Sequence, residues 1–175
     1  MRKLDANSII FELSPMRAKH NILVIQTAFI GDAILATGIL EKLHQQFPNA
    51  QIDYLVRKGN EGLFNKHPFL HQLLVWNKQN GKYKDLLRLL KEIRAVRYDH
   101  VINVQRFANS GFLTAFSKAR VKIGYDKNPF SWAFDHKVPH EVNNGLHEVE
   151  RNQQLIETIA PGKAERPKLY PTLAD

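Results

Sequence analysis

An aspartate set where an apolar strand meets a helix is the residue of this chain best placed to move a proton. Asp32 stands in NILVIQTAFIGDAILATGIL, residues 21–40, directly after Gly31. Residues 22–25 read as a strand, 26–31 as a turn, and those from Asp32 onward as a helix. In open α/β sheets, ligands bind outside the carboxyl ends of the strands, where such a turn lies. A carboxylate there can act as general base if it reaches the proton it must take. It can equally flank a helix start, where a negative charge gains about 0.3–1 kcal/mol. Thr27 adds a hydroxyl to the same loop, and Gly31 allows a close approach of backbone to ligand. Free N–H groups at such a helix start can also hold phosphate.

Two more loops carry polar groups after apolar strands. Asn103, Gln105 and Arg106 follow one strand, with Ser110 and Gly111 expected in the loop beyond. Such a cluster can hydrogen-bond sugar or phosphate, or form an ordinary strand-to-helix turn. Arg57, Lys58 and Asn60 follow another strand and offer a positive edge or a solvated surface. The eight histidines suggest no metal site. His136 and His140 sit four apart in a proline-containing stretch, and His147-Glu148 begins H-E-x-x-H only to place Arg151 where the second histidine belongs. G-x-G-x-x-G, the P-loop and G-x-S-x-G are all absent, which weakens a dinucleotide-dependent oxidoreductase and removes the nucleophile elbow.

The elements that must position these residues alternate strand and helix. Strands are expected at 21–25, 51–56, 70–76, 100–104 and 122–124. Helices are expected at about 32–47, at 61–65 as a short piece, and at 84–96, 112–119 and 148–159. Pro48-Asn49 and Pro161-Gly162 supply stops, and 79–81 is a turn signal. In 84–96, Leu86, Leu87, Leu90 and Ile93 form the expected inner face. Lys84, Arg88, Lys91 and Arg94 form a basic outer face suited to water or to anionic lipid. Residues 126–144 read as irregular. The pattern implies an α/β fold, a Rossmann-like parallel sheet flanked by helices with right-handed crossovers, strand one at its centre.

The chain has 175 residues, 43% of them hydrophobic, enough for one domain with a real core. It has no cysteine, so disulfides and thiolate metal sites are excluded. No apolar run approaches the roughly 18 residues of a membrane span. Glu12 breaks the apolar stretch near the start, unlike the core of a signal peptide. A cytoplasmic location is expected, with peripheral contact at the inner membrane left open. The net charge of +8 favours anionic partners. The positive charge is spread, with no run of five Lys or Arg, so nucleic acid is not the expected partner.

Taken in order, ILVIQTAFIGDAILATGIL, IDYLVRKGNEGLF, HPFLHQLLVW, YDHVINVQRFANSGFLTAFSKARVKIGY and HEVERNQQLI resemble glycosyltransferase family 9, the lipopolysaccharide heptosyltransferases. The resemblance covers residues 21 to about 159, and the strand-loop-Gly-Asp-helix opening is its most specific piece. It implies the N-terminal lobe of a two-lobed GT-B glycosyltransferase, binding a saccharide-lipid acceptor. A second lobe would bind the nucleotide-sugar donor, ADP-heptose-like, as co-substrate, with no metal or other cofactor. Asp32 then maps onto the general base of an inverting transfer. Thr27, Gly31, Arg57, Asn60, Asn103, Gln105, Arg106 and Ser110 are the expected substrate contacts. One departure stands out: the family's Asp-Leu-Gln is here Asn103-Val104-Gln105. The expected division is a leader at 1–20, the acceptor-binding lobe at 21–163 and a linker at 164–175 toward a donor lobe, the 175-residue chain alone being inactive. The alternative is a non-catalytic α/β module binding an anionic ligand such as a phosphorylated saccharide or nucleic acid.

Overall fold

The computed structural model describes residues 20–79, 81–141 and 145–171. The expected leader, apart from His20, and the last four residues of the expected linker lie outside the described residues.

Six strands form one parallel sheet: β1 (Asn21–Gln26), β2 (Gln51–Arg57), β3 (Leu70–Trp76), β4 (His100–Asn103), β5 (Val121–Tyr125) and β6 (His136–Val138). Their order is β3-β2-β1-β4-β5-β6, the doubly wound arrangement. β1 is central, as its unbroken apolar run requires. Val24 pairs with Tyr54 of β2 on one side and Ile102 of β4 on the other.

Helices cover both faces. The α1 (Ile30–Leu35), α2 (Thr37–Gln46) and α5 (Glu148–Ile156) helices pack with Ile22 and Val24 on one face. The α3 (Lys82–Val96) and α4 (Ala108–Phe116) helices pack with Leu23 and Ile25 on the other. The alternation along β1 thus fills two cores with one strand.

Several boundaries differ from the sequence expectation. The first helix starts two residues early and is broken at Ala36. Thr37 donates its hydroxyl to the Ile34 carbonyl at 2.7 Å, a local bond that competes with the helix ladder. In α3 the buried side chains are Leu86, Leu89, Leu90 and Ile93, and Leu87 is exposed, so Leu89 rather than Leu87 belongs to the inner stripe. Two adjacent leucine pairs make both phases plausible on paper, and the i, i+3, i+4, i+7 set is the one that faces the sheet.

The α4 helix starts four residues before its expected position, which moves Ser110 and Gly111 from a loop into its first turn. Serine and glycine are weak helix formers, but here Ser110 Oγ donates to Phe107 O at 2.9 Å and Gly111 packs against Asn128. β6 was not expected at all: it has three residues, largely exposed, at the sheet edge. Lys122 N donates to Asp135 Oδ2 at 2.8 Å, docking the segment beside β5. His147 proves to be a helix cap, its Nδ1 accepting from Val149 N while Glu150 accepts from His147 N. After α5, the extended tail returns over α2, where Lys168 N donates to Thr37 Oγ1 at 2.9 Å and the Tyr170 hydroxyl donates to Glu41 at 2.7 Å.

Candidate functional site

The connections from β1 and β4 leave to opposite sides of the sheet, so the carboxyl ends of this central pair open a crevice. A cleft of about 520 Å³ occupies that position. Thr27, Asp32, Arg57, Gln105 and Ser110 line it, together with Phe29, Trp76 and Lys78. Five of the nine expected site residues therefore converge: Thr27 and Asp32 from the β1 loop and the first turn of α1, Arg57 from the end of β2, and Gln105 and Ser110 from the β4 loop and the first turn of α4.

The loop geometry is fixed from beneath. Thr27 Oγ1 donates to Gln105 Oε1 at 2.7 Å, a buried bond that ties the β1 loop to the β4 loop. With Oε1 engaged, the Nε2 amide is the end of Gln105 left to meet a ligand. Asn60 Nδ2 donates to Ala28 O at 3.3 Å, and Gln26 Oε1 accepts from Ala28 N at 3.2 Å. The hydroxyl of Tyr54, buried in the core, donates to Ala33 O at 2.9 Å and pins the first turn of α1. Burial, with the Asp32 charge adding to it, holds that phenol far above the ordinary tyrosine range, so it stays protonated and keeps donating.

Asp32 is the third residue of α1, in the helix's first turn and at the edge of the cleft. Among the described residues, none hydrogen-bonds or ion-pairs with its side chain. Arg57 and Lys78 bring positive charge to the same cleft. The Arg57 guanidinium lies 5.1 Å over the Phe29 ring, and Lys78 Nζ lies 4.5 Å over the Trp76 ring. Partial burial, then the charges of Arg57 and Lys82, hold the Lys78 amine below the ordinary lysine range. Neither cation forms an ion pair with a described acid. The cleft thus combines a free carboxylate, an amide donor and uncompensated positive charge, suited to deprotonating a hydroxyl on an anionic ligand.

The other four expected residues stand off the cleft. Asn60 is buried and braces the β1 loop. Asn103 is fully buried at the end of β4, where its Oδ1 accepts from Gln105 N at 3.0 Å. It shapes the turn that presents Gln105. Gly31 is exposed, and a Cβ there would meet nothing within 4 Å, so the backbone of this lobe imposes no glycine. Arg106 is exposed and lies 5.8 Å over the Phe107 ring, outside the cleft wall. Sequence reasoning missed Trp76 and Lys78. They sit at and just beyond the carboxyl end of β3, the position already used to single out Arg57. No group of three His, Cys, Asp or Glu that could hold a metal occurs among the described residues.

A parallel α/β lobe with a ligand crevice at its switch point is the class this geometry defines. The model of glycosyltransferase family 9 (heptosyltransferase) matches residues 86–172. Lipopolysaccharide heptosyltransferase 3 of Escherichia coli K12 is 32% identical over 139 residues, 74% of this chain and 39% of the relative. Lipopolysaccharide heptosyltransferase 1 of Pseudomonas aeruginosa is 28% identical over 150 residues, 77% of this chain and 41% of that one. Among solved structures, the family 9 glycosyl transferase of Veillonella parvula matches with a TM-score of 0.77 at 21% identity, covering 86% of this chain and 44% of its own. E. coli heptosyltransferase WaaC with ADP-2-deoxy-2-fluoro heptose matches with a TM-score of 0.68 at 20% identity, covering 85% and 50%. These structural likenesses show the fold, one Rossmann-like lobe of the GT-B type. The chain belongs to glycosyltransferase family 9, and it spans about two fifths of the length of the curated relatives it matches.

Proposed function

We propose that this chain is the acceptor-binding lobe of an inverting, heptosyltransferase-like glycosyltransferase. It would receive a sugar from an ADP-heptose-like nucleotide-sugar onto a lipopolysaccharide-type acceptor. The observation that carries this reading is Asp32, an unpaired carboxylate at a cleft whose other charged walls, Arg57 and Lys78, are positive. The acceptor hydroxyl would lie within hydrogen-bond reach of Asp32. Its oxygen attacks the anomeric carbon as the bond to the diphosphate breaks, and its proton passes to the Asp32 carboxylate. One displacement inverts the anomeric centre without a covalent intermediate or a required metal. Gln105 and Thr27 position the acceptor, while Arg57 and Lys78 attract its negative groups. Charge developing on the leaving diphosphate needs donors or cations. In this reading a second lobe supplies them and holds the nucleotide-sugar, so the 175-residue chain alone turns nothing over. Two solved structures of E. coli heptosyltransferase WaaC, one with ADP and one with ADP-2-deoxy-2-fluoro heptose, support the donor class. The setting would be the cytoplasmic side of the inner membrane, where the acceptor's lipid is anchored.

The test has two arms. In titrations of the 175-residue chain with a phosphorylated core oligosaccharide, followed by NMR, resonances of Thr27, Gln105 and Asp32 should shift saturably. In the protein carrying a donor lobe, Asp32→Asn should lower kcat by about 10²–10⁴, the range for loss of a general base. Turnover within tenfold of the parent would refute the role of Asp32. Unchanged oligosaccharide affinity together with absent transfer in the parent would leave only a non-catalytic binding module.

A further inference from the structure

The two faces of the sheet differ in charge and in exposed apolar surface. Of the eight large hydrophobic side chains exposed among the described residues, five lie on the α3–α4 side: Tyr83, Leu87, Phe107, Phe116 and Trp132. Phe29 lines the cleft, Ile30 follows it as the first residue of α1, and Leu63 lies in a short turn after β2. The helices α1, α2 and α5 on the opposite face expose no large hydrophobic except Ile30 at the start of α1. On α4 the apolar surface is a cluster: Phe112, Phe116 and Phe130 have ring centroids 5.0–6.2 Å apart. Trp132, 70% exposed, follows in the turn that packs against α4.

Charge follows the same division. With its cap Arg97, α3 carries six Lys or Arg and two acids. Both acids are engaged by one cation, Arg88, whose Nε donates to Asp85 at 2.6 Å and Nη1 to Glu92 at 2.7 Å. The other five cations of the helix and its cap have no acid partner among the described residues. The helices α1, α2 and α5 together carry four acids and two cations.

We infer that the α3–α4 face docks on an anionic lipid bilayer. Lysine and arginine around exposed aromatic and leucine side chains suit the boundary between headgroups and acyl chains, where rings insert and cations stay with phosphate. A protein partner or a second copy of the chain fits this face less well, because the centres of protein interfaces are depleted in lysine. Phe107 belongs to this face and also lines the cleft. Docking therefore sets one wall of the cleft at headgroup depth, where a lipid-anchored saccharide presents its hydroxyls. In that last consequence the inference rests on the acceptor reading, whereas the docking surface stands on exposure and charge alone.

The two tryptophans make the test direct. Trp76 is 2% exposed and Trp132 is 70% exposed, so an emission change on adding vesicles reports Trp132. The 175-residue chain is mixed with vesicles of phosphatidylglycerol and phosphatidylethanolamine, then with pure phosphatidylcholine. Emission should shift to the blue and the protein should sediment with the anionic vesicles, at least tenfold more strongly than with the neutral ones. Trp132→Phe should remove the shift. Leu87→Gln combined with Lys84→Glu and Lys91→Glu should weaken partitioning at least tenfold, with far-UV circular dichroism unchanged. Gln45→Glu with Gln46→Glu, on the other face, should leave it within twofold. Equal partitioning of the triple variant, no shift with anionic vesicles, or a blue shift that grows with protein concentration without lipid would each overturn the inference. Asp32→Asn should bind vesicles like the parent, so a failed docking surface and a failed general base give different results.

Discussion

Gly111→Ala is the substitution whose cost can be worked most directly from the structure. Gly111 lies in the first turn of α4, and an added Cβ would come 1.9 Å from Asn128 Oδ1 and 2.7 Å from its Cγ. No carbon tolerates that approach, so the Asn128 side chain must leave. Asn128 is buried and makes three bonds. Its Nδ2 donates to Gln105 O and to Phe107 O, each at 3.1 Å, and its Oδ1 accepts from Phe130 N at 2.9 Å. At about 1 kcal/mol net per bond, losing all three costs about 3 kcal/mol. Alanine in place of glycine inside a helix returns about 1 kcal/mol. The expected loss is therefore about 2 kcal/mol, or about 4–8 °C in Tm for a domain of this size. Asn128→Ala alone should cost about 3 kcal/mol for the same three bonds. In that background Gly111→Ala has nothing to displace and should be neutral or stabilising by up to about 1 kcal/mol. Urea unfolding of the two single variants and the double variant measures this coupling. If Gly111→Ala stabilises the parent, Asn128 yields freely and the argument that it ties the β4–α4 loop is wrong.

Two further outcomes follow from other parts of the fold. Burial is the chief cause holding both His67 and His100 below the ordinary histidine range, with Glu41 and Asp99 respectively pulling the other way. Folded, they stay neutral, while the unfolded chain takes up protons near the ordinary value of about 6.5. The unfolded state then binds more protons, so stability falls as pH drops from 7.5 through that value toward the folded pKa values. Tm measured from pH 7.5 to 5.5 should decline, and His67→Phe, which keeps the ring contacts to Phe69 and Tyr170, should flatten the decline. An identical slope in the variant would contradict this. At Gly38, a Cβ would lie 2.6 Å from the Glu165 carbonyl of the returning tail. Gly38→Ala should lift that tail from α2 and speed tryptic cleavage after Lys168 several-fold, and an unchanged cleavage rate would show that the tail adjusts in place.

What the sequence disclosed and what it hid divide along a physical line. Strand cores were legible because β1–β3 are long apolar runs bounded by turn residues. β6 was not, because a three-residue edge strand needs neither apolar residues nor length once Asp135 and Lys122 hold it. The α4 start was hidden by Ser110 and Gly111, whose weak helix propensity is overridden by contacts with Phe107 and Asn128, which no local pattern shows. The crevice was legible in part: alternation implies a parallel sheet and the apolar run of β1 its central place, but neither fixes the strand order that sets the loops after β1 and β4 side by side. The direction of each loop side chain was not. Strands and helices have a fixed period, so facing can be counted along them; loops have none.

That difference explains how the nine expected site residues divided. Thr27, Asp32 and Ser110 are fixed relative to the end of β1 or within the first turn of a helix, and they reach the cleft. Asn103 Oδ1 accepts from Gln105 N two residues on, the local bond a short amide makes in a turn, while its Nδ2 is buried without a partner among the described residues; Asn60 Nδ2 reaches across to Ala28 O. Their burial makes them supports rather than contacts. At position 103 the side-chain oxygen that accepts from Gln105 N is one that asparagine and aspartate share. An acid at this place, as the resemblance implies for the family, could therefore give way to Asn103 without loss of the turn that presents Gln105 to the cleft. The expected signature is kinetic: in the protein carrying a donor lobe, Asn103→Asp should keep this bond and leave KM for the proposed acceptor within about threefold, whereas Asn103→Ala, which removes the acceptor of a buried N–H, should destabilise by about 1–3 kcal/mol. A large KM change in Asn103→Asp with stability intact would place residue 103 in contact with the acceptor after all.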